Sequence, residues 1–234
     1  MTIEKKRELR NYNPLEMASA LMQQFPDTDW EEVSGITLVT GDFRSAETAL
    51  DYLEEFGRSM HRATSGLWNP KARAHQDLSL STHLIKSDEA MHRARELGMK
   101  RFIHTVEMTD DDAREAVMHT GGDNQTASQL NKGHDGFLTS LDVLQRAISV
   151  FGAGQVEPVL VIGLDPLDQT KIALNQLKDI GIQRVSRGLV NVYNMNQFGL
   201  LRSDFFSAVQ GMQYARDLFT SPHSRVVERP KWAN

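Results

Sequence analysis

The sequence predicts an α/β fold, a partial (open) TIM-type βα barrel with extra N-terminal helices. Two observations predict it: short apolar runs alternate with helical stretches, and helices repeatedly end in a glycine shortly before the next run. Such alternation is typical of βα units around a parallel sheet. A glycine can take the left-handed conformation that ends a helix and turns the chain back. The pairs concerned are Leu97-Gly98, Phe151-Gly152 and Ile180-Gly181.

The first 34 residues are predicted to be helical. Asn13 precedes Pro14, which suits the first position of a helix, and apolar residues follow at helical spacing. Thr28 can cap a second short helix, with Glu31 completing a capping box. The predicted organisation is a helical segment over 1–34, a βα region over 35–220 and a C-terminal tail over 221–234.

Five strands and the helices between them are predicted after this segment. The run over 156–164 is the clearest strand, because its continuous apolar stretch is typical of a strand buried on both faces of a parallel sheet. Ser45 and Ser87 can cap two of the helices. The predicted strands are 36–40, 78–82, 101–108, 156–164 and 185–192. The other predicted helices are 110–118, 138–151, 167–180 and 203–219, and the predicted loops are 64–76 and 121–136.

Composition and charge disfavour several classes of function. The chain has 234 residues and a formal charge of -5, with 26 basic and 31 acidic residues spread along it, so no basic stripe indicates nucleic-acid binding. The N-terminus has no apolar signal segment, and no apolar run approaches the roughly 18 residues that span a bilayer. We therefore expect a cytoplasmic protein without nucleic-acid binding or membrane insertion. The chain has no cysteine, so only His and carboxylates are available as metal ligands.

A longer pattern covers 141–182, LDVLQRAISVFGAGQVEPVLVIGLDPLDQTKIALNQLKDIGI. It joins a helix ending in Phe-Gly, a strand ending in Gly-Leu-Asp-Pro and a helix ending in Ile-Gly, and it resembles the later half of radical S-adenosylmethionine barrels of the biotin-synthase-like branch. The stretches GITLVTGDF and RFIHTVEM extend the resemblance over 35–220. Members of that family hold an iron-sulfur cluster on three cysteines after their first strand. Here that strand is not recognisable and the cysteines are absent, so the resemblance is to a truncated member without a cluster.

Candidate site residues follow the predicted strands, since chemistry in a βα barrel lies at the C-terminal strand ends. Asp42 and Asp165 can instead cap the loop or helix that follows them. His83 and Glu107 are candidates for a catalytic base and acid or for binding a divalent metal, although no metal site is assigned. Asn194 either lines a pocket or turns the chain.

The resemblance implies a binding site for S-adenosylmethionine or a related nucleoside. By position in the family, the turn Gly41-Asp42 and Glu107 would hold the amino acid end of the ligand, and Gly163 would lie near its adenine. Without a cluster the iron that anchors the methionine end is missing, so the resemblance implies weak binding. No cofactor is assigned beyond this implied ligand.

Two functions remain open at this point. The first is a degenerate radical-S-adenosylmethionine-like barrel, a pseudoenzyme that acts as a binding or structural subunit of an assembly. The alternative is a small lyase or isomerase that uses acid-base or metal-assisted chemistry. Because the strand over 36–40 is predicted to lack a preceding neighbour, its open edge predicts a homo-oligomer or a complex with another protein. That other protein would have to supply the missing cluster if the chain were half of a split enzyme.

Overall fold

The computed structural model of the chain describes residues 13–39, 43, 45–112, 136–189 and 202–219. Five strands lie in these ranges: β1 (Gly35–Val39), β2 (Asp77–Thr82), β3 (Phe102–Glu107), β4 (Val156–Ile162) and β5 (Ser186–Leu189). The helices are α1 (Pro14–Gln24), α2 (Ala46–Ala63), α3 (Asp88–Glu96), α4 (Phe137–Phe151), α5 (Leu167–Asp179) and α6 (Arg202–Phe219). The strands follow one another in the sheet in chain order. β1 is parallel to β2, and β4 is parallel to β5.

This arrangement confirms the predicted α/β class with parallel strands. The partial barrel and the domain boundaries stay predictions. By its contacts the chain divides into two compact units, Met1–Ile103 and His104–Asn234. The part of the chain that is described contains no helix long and apolar enough to cross a membrane.

Helix α2 provides much of the core of the first unit. Ser45 and Thr48 form a capping box at its N-terminus, in which each side chain bonds the backbone N–H of the other residue. Along one face, Leu53, Phe56 and Met60 are 0% exposed. Burying side chains of this size stabilises a fold by about 1.5–3 kcal/mol each. Helix α1 begins at Pro14, as predicted, and Asn13 caps it, since the Asn13 Oδ1 accepts the Leu15 N–H at 2.9 Å.

The predicted second N-terminal helix from Thr28 is wrong, because this segment forms turns. Asp29 Oδ1 accepts the Glu31 N–H at 3.1 Å, which closes a local turn instead of a capping box. The carbonyls of Trp30 and Glu31 both accept from the Gln76 side-chain amide at 3.0 Å. A distant side chain therefore takes the carbonyls that the helix would need for its own hydrogen bonds.

A buried carboxylate fixes the entry to β2 and β3. Asp77 is 6% exposed, and its Oδ1 accepts the backbone N–H groups of Lys100 at 2.7 Å and Arg101 at 3.3 Å. Arg101 Nε also donates to Asp77 Oδ2 at 2.8 Å, and Arg101 Nη2 reaches Thr37 on β1 at 3.0 Å. One ion pair and its hydrogen bonds thus join β1, the start of β2 and the two residues that precede β3.

The second unit is built around β4. Along this strand, buried residues alternate with half-buried ones, so the prediction of burial on both faces is met in part. Helix α6 packs on α5 and contacts β4. At Gly211 an added Cβ would lie 2.9 Å from Ile162 Cγ2, so a side chain at this position would push α6 away from the strand.

Several predicted features lie outside the described residues. They are most of the helix over 110–118 and the loop over 121–136, the end of the strand over 185–192, and the tail over 221–234.

Candidate functional site

The loops that follow β3 and β4 are joined by one carboxylate. Asp165 Oδ2 accepts two hydrogen bonds from Thr109, from its backbone N–H at 2.8 Å and its hydroxyl at 2.9 Å. Asp165 Oδ1 accepts the backbone N–H of Asp110 at 3.1 Å. Both oxygens of the carboxylate are therefore engaged at the edge of the sheet where α/β proteins commonly bind ligands.

Opposing effects act on the proton affinity of this group. Burial raises the pKa of the Asp165 carboxyl above its ordinary value, because the charged form loses hydration, while the three hydrogen bonds from Thr109 and Asp110 partly oppose the shift. A raised pKa is a common property of groups that exchange protons in catalysis. Donors on both oxygens are equally typical of a carboxylate that holds two loops together.

The alternative role considered for Asp165, capping the helix after it, is wrong. The N-cap residue of α5 is Pro166, and no side chain caps that terminus. The Asp165 oxygens already accept from the loop after β3. Gly163, with a φ of +108°, turns the chain directly after β4. Without a side chain, Gly163 would permit the close approach of a ligand that the resemblance implies. The positive φ of the turn is by itself a sufficient reason for glycine at this position.

A second aspartate, not singled out from the sequence, holds the start of α4. Asp111 Oδ1 accepts the backbone N–H of Phe137, the first residue of that helix, at 2.9 Å. The N-cap residue Gly136 has no side chain to do so, and a Cβ there would lie 2.8 Å from Asp111 Oδ2. A carboxylate at this place satisfies an orphan N–H and interacts favourably with the helix dipole. Their separation of 26 residues hides this contact from any local pattern.

Of the other predicted site residues, His83 is the one whose side chain lies in the described part of the chain. His83 is half-buried and follows β2 in the first unit, whereas Glu107 ends β3 and its side chain lies outside the described part. Gly41, Asp42 and Asn194 lie outside the described residues. The catalytic pair of His83 and Glu107 therefore stays a prediction. His104 is buried in β3.

Among the described residues, no group of three His, Asp or Glu side chains is placed to hold a metal ion. A cysteine-ligated iron-sulfur cluster does not fit the sequence, because it contains no cysteine.

Comparison of the chain with models of protein families gives no match, and comparison with curated proteins gives none either. The resemblance to radical S-adenosylmethionine barrels accordingly stays a prediction from the sequence.

Proposed function

We propose that this protein is a non-catalytic structural subunit that assembles with a second copy of itself through the edge strand β1. The observation that carries the proposal is the exposure of that strand. Val39 is 82% exposed, and of the β1 residues only Leu38 is buried. A strand of a parallel sheet is ordinarily covered on both faces, so such exposure indicates a surface that another chain covers.

The chemistry of β1 favours pairing with its own copy. The strand reads GITLV and contains no charged residue and no proline, the features that protect edge strands from association. In the described part of the chain β1 is paired with β2 alone. Two copies related by a twofold axis can place their β1 strands side by side without like-charge repulsion and satisfy the outer backbone groups.

The site at β3 and β4 favours a structural role over the lyase or isomerase alternative. Both oxygens of Asp165 already accept hydrogen bonds, three in all, from Thr109 and Asp110 in the loop after β3. A carboxylate used in this way stabilises the loops in one conformation. The missing cysteines, together with the resemblance, fit a barrel whose original chemistry has been lost.

Sedimentation of two lysine variants tests the proposal. Val39→Lys puts a charge on the exposed edge without disturbing the core, and we expect it to weaken self-association about tenfold or more, because a lysine on an edge strand opposes pairing with another strand. Leu138→Lys is the matched control, since Leu138 is 72% exposed on α4. It should leave association unchanged.

Analytical ultracentrifugation at micromolar concentration reads out the result. A wild type that is dimeric, with only Val39→Lys monomeric, supports assembly through β1. A monomeric wild type contradicts the proposal, and so does a Val39→Lys variant that still dimerises. Native mass spectrometry that finds a different protein in place of the second copy likewise contradicts self-pairing.

A further inference from the structure

A cavity of about 360 Å³ opens in the first unit, between α2, the loop before β2 and the end of α3. Its volume falls within the range of small-molecule sites, roughly 300–1,000 Å³. It lies beside the loop that leads into β2, whereas the sequence predicted a site beyond the C-terminal strand ends. We propose that this cavity binds a small organic anion, a carboxylate or phosphate ester with an apolar body.

The interior of the cavity is suited to an apolar body. Leu97, 6% exposed at the end of α3, contributes to the lining together with Pro70 and the backbone at Gly57. A Cβ at Gly57 would lie 3.1 Å from the buried Leu78 side chain, so glycine lets α2 pack closely on β2 at the position that lines the cavity. The part of a ligand that enters here would exchange water for hydrocarbon contacts, which favours binding.

The polar groups around the cavity are predominantly hydrogen-bond donors. Arg58 donates to Glu54 at 2.5 Å and lies 3.8 Å from Glu55, and its five N–H groups still leave donors over. Lys71 also lines the cavity, and its ammonium makes no ion pair with any described residue. The His61 ring and the Asn69 Nδ2 group make no hydrogen bond within the described part of the chain. Because Arg58 is paired with Glu54 and Glu55, the unpaired charge on the lining is the Lys71 ammonium, and the complementary ligand is an anion.

The wall that carries Lys71 is held in place by a buried side chain. Gln76 is 0% exposed, and its Oε1 accepts the Asn69 N–H at 2.5 Å while its amide donates to the carbonyls of Trp30, Glu31 and Leu67. Gly98 lets this wall approach α3. A Cβ at Gly98 would lie 3.2 Å from Pro70 Cβ and 3.3 Å from the backbone nitrogen of Lys71. A wall fixed in this way needs little reordering when a ligand binds, which favours affinity.

NMR titrations of the full-length protein test the proposal with three probes of similar size: benzoate, phenyl phosphate and neutral benzamide. We expect saturable shifts of the Gly57 and Leu97 amides with at least one anion and weaker shifts with benzamide. Lys71→Gln should weaken anion binding about tenfold, because a charge-assisted bond is lost. Lys178→Gln removes the same charge from an exposed position on α5 and should change nothing.

A second variant tests the place of binding. Ala72 lines the cavity and is exposed, so Ala72→Phe can fill the opening without entering the core, and we expect it to abolish the shifts. Binding of one anion alone supports the proposal and assigns the ligand as a carboxylate or a phosphate. The proposal is overturned if neither anion binds at millimolar concentration, if benzamide binds as tightly as benzoate, or if Lys71→Gln has no effect.

Discussion

The carboxyl group of Asp165 links its protonation state to the stability of the fold. Burial raises its pKa above the ordinary value of 3.8, so the folded state favours the protonated form more than the unfolded state does. The stability that this group contributes is therefore fully present below that ordinary value. It is lost as the pH rises through the higher pKa of the folded state.

Replacing Asp165 by Asn should reveal this dependence. The amide turns one acceptor into a donor facing Thr109 or Asp110, so we expect Asp165→Asn to lower the free energy of unfolding by roughly 1–3 kcal/mol. The difference in the free energy of unfolding between wild type and variant should become smaller as the pH rises through the Asp165 pKa, because only the wild type loses stability there. Urea unfolding at a series of pH values measures both effects. Asp168→Asn, at a side chain that is 94% exposed, serves as the control, and a gap that widens with pH would contradict the prediction.

Two glycines at helix ends differ in their surroundings although the sequence presents them alike. Gly98 has a φ of +104° and lies against Pro70, whereas Gly152 has a φ of +91° and open space around the position of a Cβ. At both positions an alanine would have to adopt a rare backbone conformation, which lowers the free energy of unfolding by about 1–3 kcal/mol. At Gly98 it meets crowding as well.

We therefore expect Gly98→Ala to be more destabilising than Gly152→Ala. Crowding against a packed loop adds roughly 1–3 kcal/mol to the backbone cost. Thermal or urea unfolding of both variants gives the order, and equal losses would show that the loop at Pro70 yields to the new methyl group. Gly154→Ala is the control: its nearest neighbour is the end of the Gln183 side chain, so we expect a change within about 0.5 kcal/mol.

The elements that local patterns determine could be predicted from the sequence. The caps at Ser45 and Ser87 involve groups within three residues of each other, and each forms as expected. The predicted strands that lie in the described residues are present within about two residues of their expected ends, since apolar runs bounded by turns specify strands.

What failed depends on groups far apart in the chain. The predicted helix at Thr28 does not form, and the carbonyls of its residues Trp30 and Glu31 accept from the Gln76 amide. The N–H of Phe137 at the start of α4 is bonded by Asp111, 26 residues earlier in the chain. The cavity beside α2 was not predicted, because it combines a helix, a loop and a helix end that are brought together only by folding. For the strand-end site, the sequence placed Asp165 correctly near the end of β4. It gave no sign that Thr109 and Asp110, in the loop after β3, would donate to the two carboxylate oxygens of Asp165.

For the whole molecule, the absence of cysteine from all 234 residues has the widest consequence. In the family that the sequence resembles, iron of the cluster anchors the methionine end of S-adenosylmethionine. A chain without thiolates cannot provide that anchor, although it can keep backbone and carboxylate contacts to the rest of the ligand. Loss of one strong contact lowers affinity steeply, about tenfold for every 1.4 kcal/mol.

We accordingly expect S-adenosylmethionine to bind weakly and independently of iron. Calorimetry should give the same weak affinity before and after anaerobic treatment with iron and sulfide, because no cluster can form to add a contact. Glu107→Ala should abolish the binding, since the resemblance implies that this residue holds the amino acid end of the ligand. Glu96→Ala, at an exposed position on α3, is the control and should bind like the wild type. Tight binding that survives Glu107→Ala, or affinity that rises after iron and sulfide treatment, would contradict the site that the resemblance implies.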